Sequence, residues 1–152
     1  MRTLAIGLLG IVLVQGGAAA QTPQEQDRLL RAFQENVATL ADATPCPHVF
    51  TLPVATVFRQ LIARTLDEQV HVTHMTGLST ELPLDHHPVE HESFPATELH
   101  EFPVVLARAL PPLPPALEYR LIGNDLVLRE VEGNVIVAVL REAVGHATAV
   151  KR

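Results

Sequence analysis

Apolar residues recur every three to four positions along two stretches of the N-terminal half. The first stretch runs from Gln24 to Asp42, with apolar positions at Leu29, Leu30, Phe33, Val37 and Leu40. The second has them at Val54, Val57, Phe58, Leu61, Ile62 and Leu66. A 3.6-residue repeat gathers such residues on one face of a helix. Pro23 and Pro53 suit first helical positions, and Pro45 and Pro47 end the first stretch. The pattern predicts two amphipathic helices, each needing a partner surface.

Three β-rich runs separated by turn residues follow in the C-terminal part: Glu118–Ile122, Leu126–Val131 and Val135–Leu140. Gly-Asn pairs between them favour tight turns, so we expect an antiparallel meander. Three strands are not secure in water unless another element covers their apolar face. The sequence therefore predicts an α+β fold, with two to three amphipathic helices packed on one face of a small three-stranded meander.

The uncovered face and the edges of this sheet can also be predicted. Cross-strand ion pairs are expected there among Glu118, Arg120, Arg129, Glu130 and Glu132. A meander leaves two unpaired edges, through which a protein partner or a second copy of the chain can bind. The stretch 135–139 carries no charge and is the strand expected to pair, unless the first helix covers it.

The remaining segments are less regular. Weak alternation over Val70–Met75 predicts a short strand, and a short helix is expected over Pro103–Ala109, before the polyproline stretch Leu110–Ala116. The tail from Arg141 is expected to begin as a brief helix.

The predicted organisation is a leader (1–20), a helical part (21–76), a His/Glu/Pro-rich irregular loop (77–102), a short helix with polyproline linker (103–116), the meander (117–141) and the tail (142–152), with 21–152 as one domain.

The first twenty residues have the composition of a secretory signal peptide. Arg2 supplies the positive start, residues 4–14 are apolar, and Ala18-Ala19-Ala20 precede Gln21. The apolar run is shorter than the roughly 20 residues that a membrane-spanning helix needs. We expect cleavage after Ala20 and a periplasmic or secreted mature protein.

Composition narrows the partner classes. The net charge is −6, which argues against nucleic acid and anionic membranes as partners. The chain has no Trp and one Tyr, which disfavours recognition by aromatic stacking. Cys46 is the only cysteine, so no internal disulfide can form. This residue is a small packed side chain, a free thiol or one half of an intermolecular disulfide.

Histidines are concentrated in one part of the chain. Six of the eight lie between His71 and His100, interleaved with carboxylates. Imidazole and carboxylate groups are ligands for zinc, copper and nickel. The expected metal ligands are His86, His87, Glu90 and His91, with His71 or His74 nearby. The alternative interpretation is a solvated loop that binds no metal physiologically.

One substring resembles a catalytic motif. His87-Pro88-Val89-Glu90-His91 fits the H-x-x-E-H pattern of inverted zinc peptidases. That chemistry needs both histidines on one helix face, and Pro88 places His87 at the helix boundary. A small metal-dependent hydrolase is therefore the third hypothesis. The leading one is a small exported non-enzymatic binding or accessory module, and the second is a periplasmic transition-metal binding or buffering protein.

Cleavage of the leader is directly measurable. In the organism that carries the gene, we expect the protein in the extracytoplasmic fraction to begin at Gln21, because the small residues before it fit signal peptidase. N-terminal mass spectrometry of the purified protein tests this. Intact Met1 on protein recovered from the cytosol would contradict export.

Overall fold

The computed structural model describes residues 22–40, 48–72, 87–98 and 101–145. Its elements are α1 (Pro23–Ala38), α2 (Leu52–Val72), a 3₁₀ turn (Ala96–Glu98), α3 (Val104–Ala109), β1 (Leu117–Ile122), β2 (Asp125–Glu130) and β3 (Val135–Leu140). The strands form one antiparallel sheet in the order β1-β2-β3. This confirms the predicted α+β fold. The leader and the stretch containing Cys46 lie outside the described residues.

Helix α1 begins as predicted and ends earlier than predicted. The Thr22 hydroxyl accepts a hydrogen bond from the Glu25 amide at 3.3 Å, and Pro23 occupies the first turn. The helix stops at Ala38 instead of reaching residue 42. At its end, both the amide and the hydroxyl of Thr39 donate to the Asn36 carbonyl, closing the last turn.

Helix α2 is longer than predicted. It continues to Val72, so the predicted strand over Val70–Met75 is wrong for residues 70–72, while 73–75 lie outside the described residues. The physical reason is that no proline or glycine follows Pro53 until Gly77, so nothing local ends the helix at Leu66. Helix α3 matches its predicted position to within one residue.

Aromatic residues join the helices to the sheet. The rings of Phe33 and Phe50 each pack on Phe58, with centroids 4.7 Å and 5.3 Å away. Phe58 also lies 6.4 Å from the ring of Tyr119 in β1. This buried cluster extends to other apolar side chains of α3 and of β2 and β3: Leu106, Leu126, Leu128, Ala138 and Leu140. The helices thus cover one face of the sheet.

The two hairpins use different turn chemistry. Gly123 has a φ of 58° at the first central position of the β1–β2 turn, which glycine adopts without steric cost. The β2–β3 loop is longer and places Asn134 at a φ of 55°. The Glu130 carboxylate accepts hydrogen bonds from the amides of Glu132 and Gly133 and so closes this loop. A Cβ at Gly133 would lie 2.7 Å from that carboxylate, so a larger residue there would make the Glu130 side chain shift away from the loop amides.

A β-bulge in β3 places apolar residues on the face opposite the helices. The register shifts between Leu128 and Arg129, so that Val137 is the extra residue of β3. Because of this shift, Ile136 and Val139 both face away from the helices. They join Ile122 and Val127 in a second buried cluster, which Phe94 covers. Both faces of the sheet therefore bury apolar side chains.

The chain after β3 does not form the predicted helix within the described residues. Residues 141–145 instead make turns that bind back to the start of β2. The Glu142 amide donates to the Asp125 carboxylate at 2.7 Å, and the Val144 amide donates to the Asn124 carbonyl at 3.0 Å. Residues 146–152 lie outside the described residues.

The aromatic cluster predicts which substitution destabilises the fold. Phe58 is fully buried between α1 and β1, so Phe58→Ala should lower the free energy of unfolding by about 3–5 kcal/mol. Leu52→Ala is the control, since Leu52 is 79% exposed and should change stability by less than about 0.5 kcal/mol. Urea denaturation measures both. Equal effects of the two substitutions would contradict the described core.

Candidate functional site

Residues 87–94, here called the edge segment, run along the outer edge of β3. The His91 amide donates to the Ile136 carbonyl at 2.7 Å, and the Ile136 amide donates to the Glu92 carbonyl at 2.8 Å. The Phe94 amide donates to the Asn134 carbonyl at 2.8 Å. The edge of β3 that was expected to be open, or covered by the first helix, is thus partly paired with the edge segment.

Two buried side chains anchor the edge segment. Pro88 is buried, and Phe94 is 2% exposed in the cluster beneath the sheet. The Arg129 guanidinium lies 5.6 Å from the centroid of the Phe94 ring, within cation–π range. The Asn134 side chain donates to the Phe94 carbonyl at 3.0 Å. The contacts of Phe94 fix the C-terminal end of the segment on the sheet.

Glu90 binds the β-bulge. Its carboxylate accepts a hydrogen bond from the Val139 amide at 3.4 Å. The bulge turns this amide away from β2, so an unpaired donor would otherwise remain at the sheet edge. Glu90, which was predicted as a metal ligand, therefore has a structural contact in the described part of the chain.

His87 lies beside the most buried carboxylate of the described residues. Its Nδ1 is 3.5 Å from Oδ2 of Asp125. Asp125 itself is only 4% exposed. The same carboxylate accepts hydrogen bonds from the Arg141 guanidinium at 2.9 Å and from the Glu142 amide at 2.7 Å. The His87 side chain is 68% exposed, so only one side of its imidazole faces the protein. Asp125 thus joins the edge segment to the turn after β3.

The predicted metal ligands are only partly within the described structure. His71 lies in the last turn of α2, but its side chain is not described, and His74 and His86 fall outside the described residues. Within the ranges that are described, no three His, Cys, Asp or Glu side chains lie close enough together to hold a metal ion. The metal site therefore stays a prediction.

The zinc-peptidase pattern is not helical in this structure. Residues 87–91 form extended chain and a turn, and His91 has a φ of 71°, in the left-handed region. An H-x-x-E-H site needs both histidines on one face of a helix. The stretch from His87 to His91 does not have that geometry.

A charged cluster lies on the same face of the sheet as Phe94. The Arg120 guanidinium donates to both carboxylate oxygens of Glu118, at 2.8 Å and 2.9 Å. Arg129 of β2 also binds Glu118 and donates to the Asn134 side chain at 2.6 Å. These hydrogen bonds hold the pKa of Glu118 below its ordinary value, and the bond from Arg120 has the largest effect. The predicted pair across β1 and β2 is confirmed, whereas Glu130 binds loop amides instead.

A shallow cleft of about 440 Å³ lies beside β1, and sequence reasoning missed it. The Tyr119 hydroxyl donates to the Pro111 carbonyl at 2.9 Å, and Phe102 stacks on Tyr119 with centroids 5.9 Å apart. Burial raises the pKa of Tyr119. The other lining residues also come from the stretch 101–120: Glu101, Ala107, Pro112, Leu113, Leu117, Glu118 and Arg120. The only sequence feature that relates to this cleft is the polyproline stretch, because paired prolines form a rigid extended chain that can line one side of a cleft.

Comparisons with known proteins give no guide to function. No protein-family model, curated protein or solved structure matches the chain. Of the helices in the described residues, none is both long and apolar enough to cross a membrane.

Metal binding can be tested by titration. If the histidines form a site, the mature protein should bind one zinc, copper or nickel ion with sub-micromolar affinity. Changing His86, His87 and His91 together to Ala should weaken it at least about tenfold, because imidazoles supply most of the donors. Isothermal calorimetry measures this, with His48→Ala as control. Binding no tighter than that of an imidazole-rich peptide would remove the metal hypothesis.

The ion pairs of Glu118 predict a pH dependence of stability. Because the folded pKa of Glu118 is lowered from 4.5, its stabilising contribution is present above that value and is lost as the pH falls through the folded pKa. Glu118→Gln should therefore destabilise the protein near pH 7 and lose its effect in acid. Thermal unfolding from pH 7 to 3 tests this. The exposed Glu92→Gln is the control, and a pH-independent difference for Glu118→Gln would contradict the assignment.

Proposed function

We propose that the protein is a small exported binding or accessory module that works outside the cytoplasm without catalysing a reaction. Its contact surface is the edge segment. The observation that supports this proposal is the way in which the segment is held. Pro88 and Phe94 are buried, whereas His87 before them and the residues Val89, His91, Glu92 and Ser93 between them are exposed.

Preorganisation is the physical reason why such a segment suits binding. A free loop loses conformational entropy when a partner orders it, and this loss subtracts from affinity. The backbone of the edge segment is already fixed by hydrogen bonds from His91 to β3 and from Phe94 to the loop that precedes β3. Its exposed side chains are thus presented to a partner in one arrangement. Val89, at 48% exposure, supplies an apolar contact among polar ones.

The partner proposed here is another exported protein. An interface centre usually combines an apolar anchor with surrounding polar groups. Val89 provides the anchor, and the imidazoles and the Glu92 carboxylate provide hydrogen-bonding groups around it. Nucleic acid is a poor fit because the chain is acidic overall, with a net charge of −6.

A second candidate function uses the same residues. His87 and His91 are both exposed on the edge segment, so their imidazoles are accessible to ions from solvent. A periplasmic protein that binds or buffers zinc, copper or nickel would complete the coordination with His86 and with His71 or His74. Within this alternative, Glu90 would ligate through Oε2, because the Val139 amide donates to Oε1.

Site-specific crosslinking in cells tests the leading proposal. A photoreactive amino acid at Val89 or His91 should give an adduct of one defined mass in the extracytoplasmic fraction. The same group at Arg31, exposed on α1, should not give that adduct. The adduct should disappear when two other exposed side chains of the edge segment, His87 and Glu92, are changed to Ala. No adduct, or the same adduct from all positions, would contradict a contact surface on the edge segment.

A further inference from the structure

Strand β3 combines a place at the edge of the sheet with a sequence that favours self-association. The six residues Val135–Leu140 include no charged residue, proline or glycine. Segments of about six such residues stack into tightly packed sheets when their edges are free. Within the described residues, no further strand of the sheet lies on the outer side of β3. A strand of this kind needs protection from pairing with other chains.

The opposite edge of the sheet is protected in another way. Strand β1 carries Glu118 and Arg120, which form an ion pair. The Leu117 amide donates to the Pro114 carbonyl at 2.9 Å, and α3 and the polyproline stretch contribute to the cleft on that side. Charged side chains and a covering segment are two means by which proteins block a strand edge. The uncharged β3 depends on the edge segment for its cover.

The edge segment occupies outward backbone groups of β3. The Ile136 amide donates to the Glu92 carbonyl at 2.8 Å, and the Ile136 carbonyl accepts from the His91 amide at 2.7 Å. Three residues further along β3, the Val139 amide donates to the Glu90 carboxylate at 3.4 Å. A strand from another chain would need these same groups for its own hydrogen bonds. The edge segment therefore competes directly with strand addition.

Glu90 protects the edge in two respects. It satisfies the Val139 amide with its side chain instead of its backbone, so the contact does not extend the sheet. It also places a negative charge at the edge of an uncharged strand. A charge in this position opposes the addition of another strand, because pairing would remove the carboxylate from water.

Opening of the edge segment would also uncover apolar surface. Phe94 packs on Val127 and Ile136, both of which are buried on the face away from the helices. Without Phe94, these side chains would meet water beside the freed backbone groups of β3. The hydrophobic effect and the unsatisfied amides would then both favour pairing with another strand.

We propose that the edge segment is an autoinhibitory cover, and that an uncovered β3 pairs with β3 of a second copy of this chain. The second copy suits this edge because it brings the same uncharged residues and, once its own segment opens, the same apolar face. Identical strands can stack like side chain on like side chain. The inference goes beyond the proposed function and does not depend on it. It concerns the inward contacts of Glu90 and Phe94, whereas the proposed binding role uses exposed side chains.

Removal of the Glu90 contact tests the proposal. Glu90→Leu deletes the acceptor and the charge, and Glu92→Leu is the matched control, since the exposed Glu92 contacts Ile136 through its backbone carbonyl. Loss of one hydrogen bond to a charged acceptor should raise the population of the open segment about tenfold. Light scattering should therefore show Glu90→Leu associating about tenfold faster than Glu92→Leu, because association starts from the open form.

A charge on β3 should reverse the effect. Val135 is half-buried at the start of β3, and Val135→Lys interrupts the uncharged segment. The double variant Glu90→Leu/Val135→Lys should associate as slowly as Glu92→Leu, because pairing would bring two lysines into the strand contact. Circular dichroism establishes that each variant is folded.

Amide hydrogen exchange gives a measurement that does not require Val135→Lys to fold. In Glu90→Leu, the Ile136 and Val139 amides should exchange quickly in the monomer and become protected in the associated form. Equal association of Glu90→Leu and Glu92→Leu would overturn the proposal. So would undiminished association of a folded double variant, or fast exchange of both amides in the associated form.

Discussion

The structure depends on burying the central strand of a three-stranded sheet from both sides. Leu126, Val127 and Leu128 follow one another in β2, and each is fully buried. Adjacent residues of a strand point to opposite faces, so full burial of all three requires a cover on each face. The helices supply one cover, and Phe94 of the edge segment supplies the other. A three-stranded sheet of this size would be marginal in water without them.

This requirement explains why the edge segment is ordered. Phe94 covers Ile136 and Val127, and its amide and carbonyl bind Asn134. Once Phe94 is placed, the preceding residues reach the edge of β3, where Glu90 satisfies the amide that the β-bulge leaves outward. The same contacts that complete the fold thus hold the histidine-bearing chain in one position. Stability and the proposed binding role share one segment.

Local patterns predicted the two long helices, α3 and the three strands, because each had a local cause, whereas the strand expected from Val70 and the helix expected after Arg141 are absent from the described residues. The apolar stripe around Phe33 and Phe58 defined the helices, and Gly123 and Asn134 marked the turns. The ends of α1 and α2 were predicted less well, because a hydroxyl contact of Thr39 and the lack of a helix-ending residue decided them. The bulge at Val137 has no local signal, since it follows from how β3 packs against both neighbours.

The candidate site was harder to predict than the fold. The composition of the loop indicated metal binding, but it could not show that Glu90 would bind a sheet amide or that His87 would lie beside Asp125. Those contacts join residues about 40 to 50 positions apart, and they depend on where Phe94 docks. The cleft beside β1 is formed by residues 101–120 alone, but its shape depends on how α3 and the polyproline stretch fold back on β1, which no residue pattern in that stretch specifies.

The docking of Phe94 is the claim on which the rest depends, and residue-resolved hydrogen exchange of a Phe94→Ala variant tests it most directly. The account predicts that the amides of His91 and Ile136, which bind across the β3 edge, lose protection together. Amides between β1 and β2 should remain protected, because the helices still cover the other face. Unchanged protection at His91 and Ile136 in this variant would contradict the account.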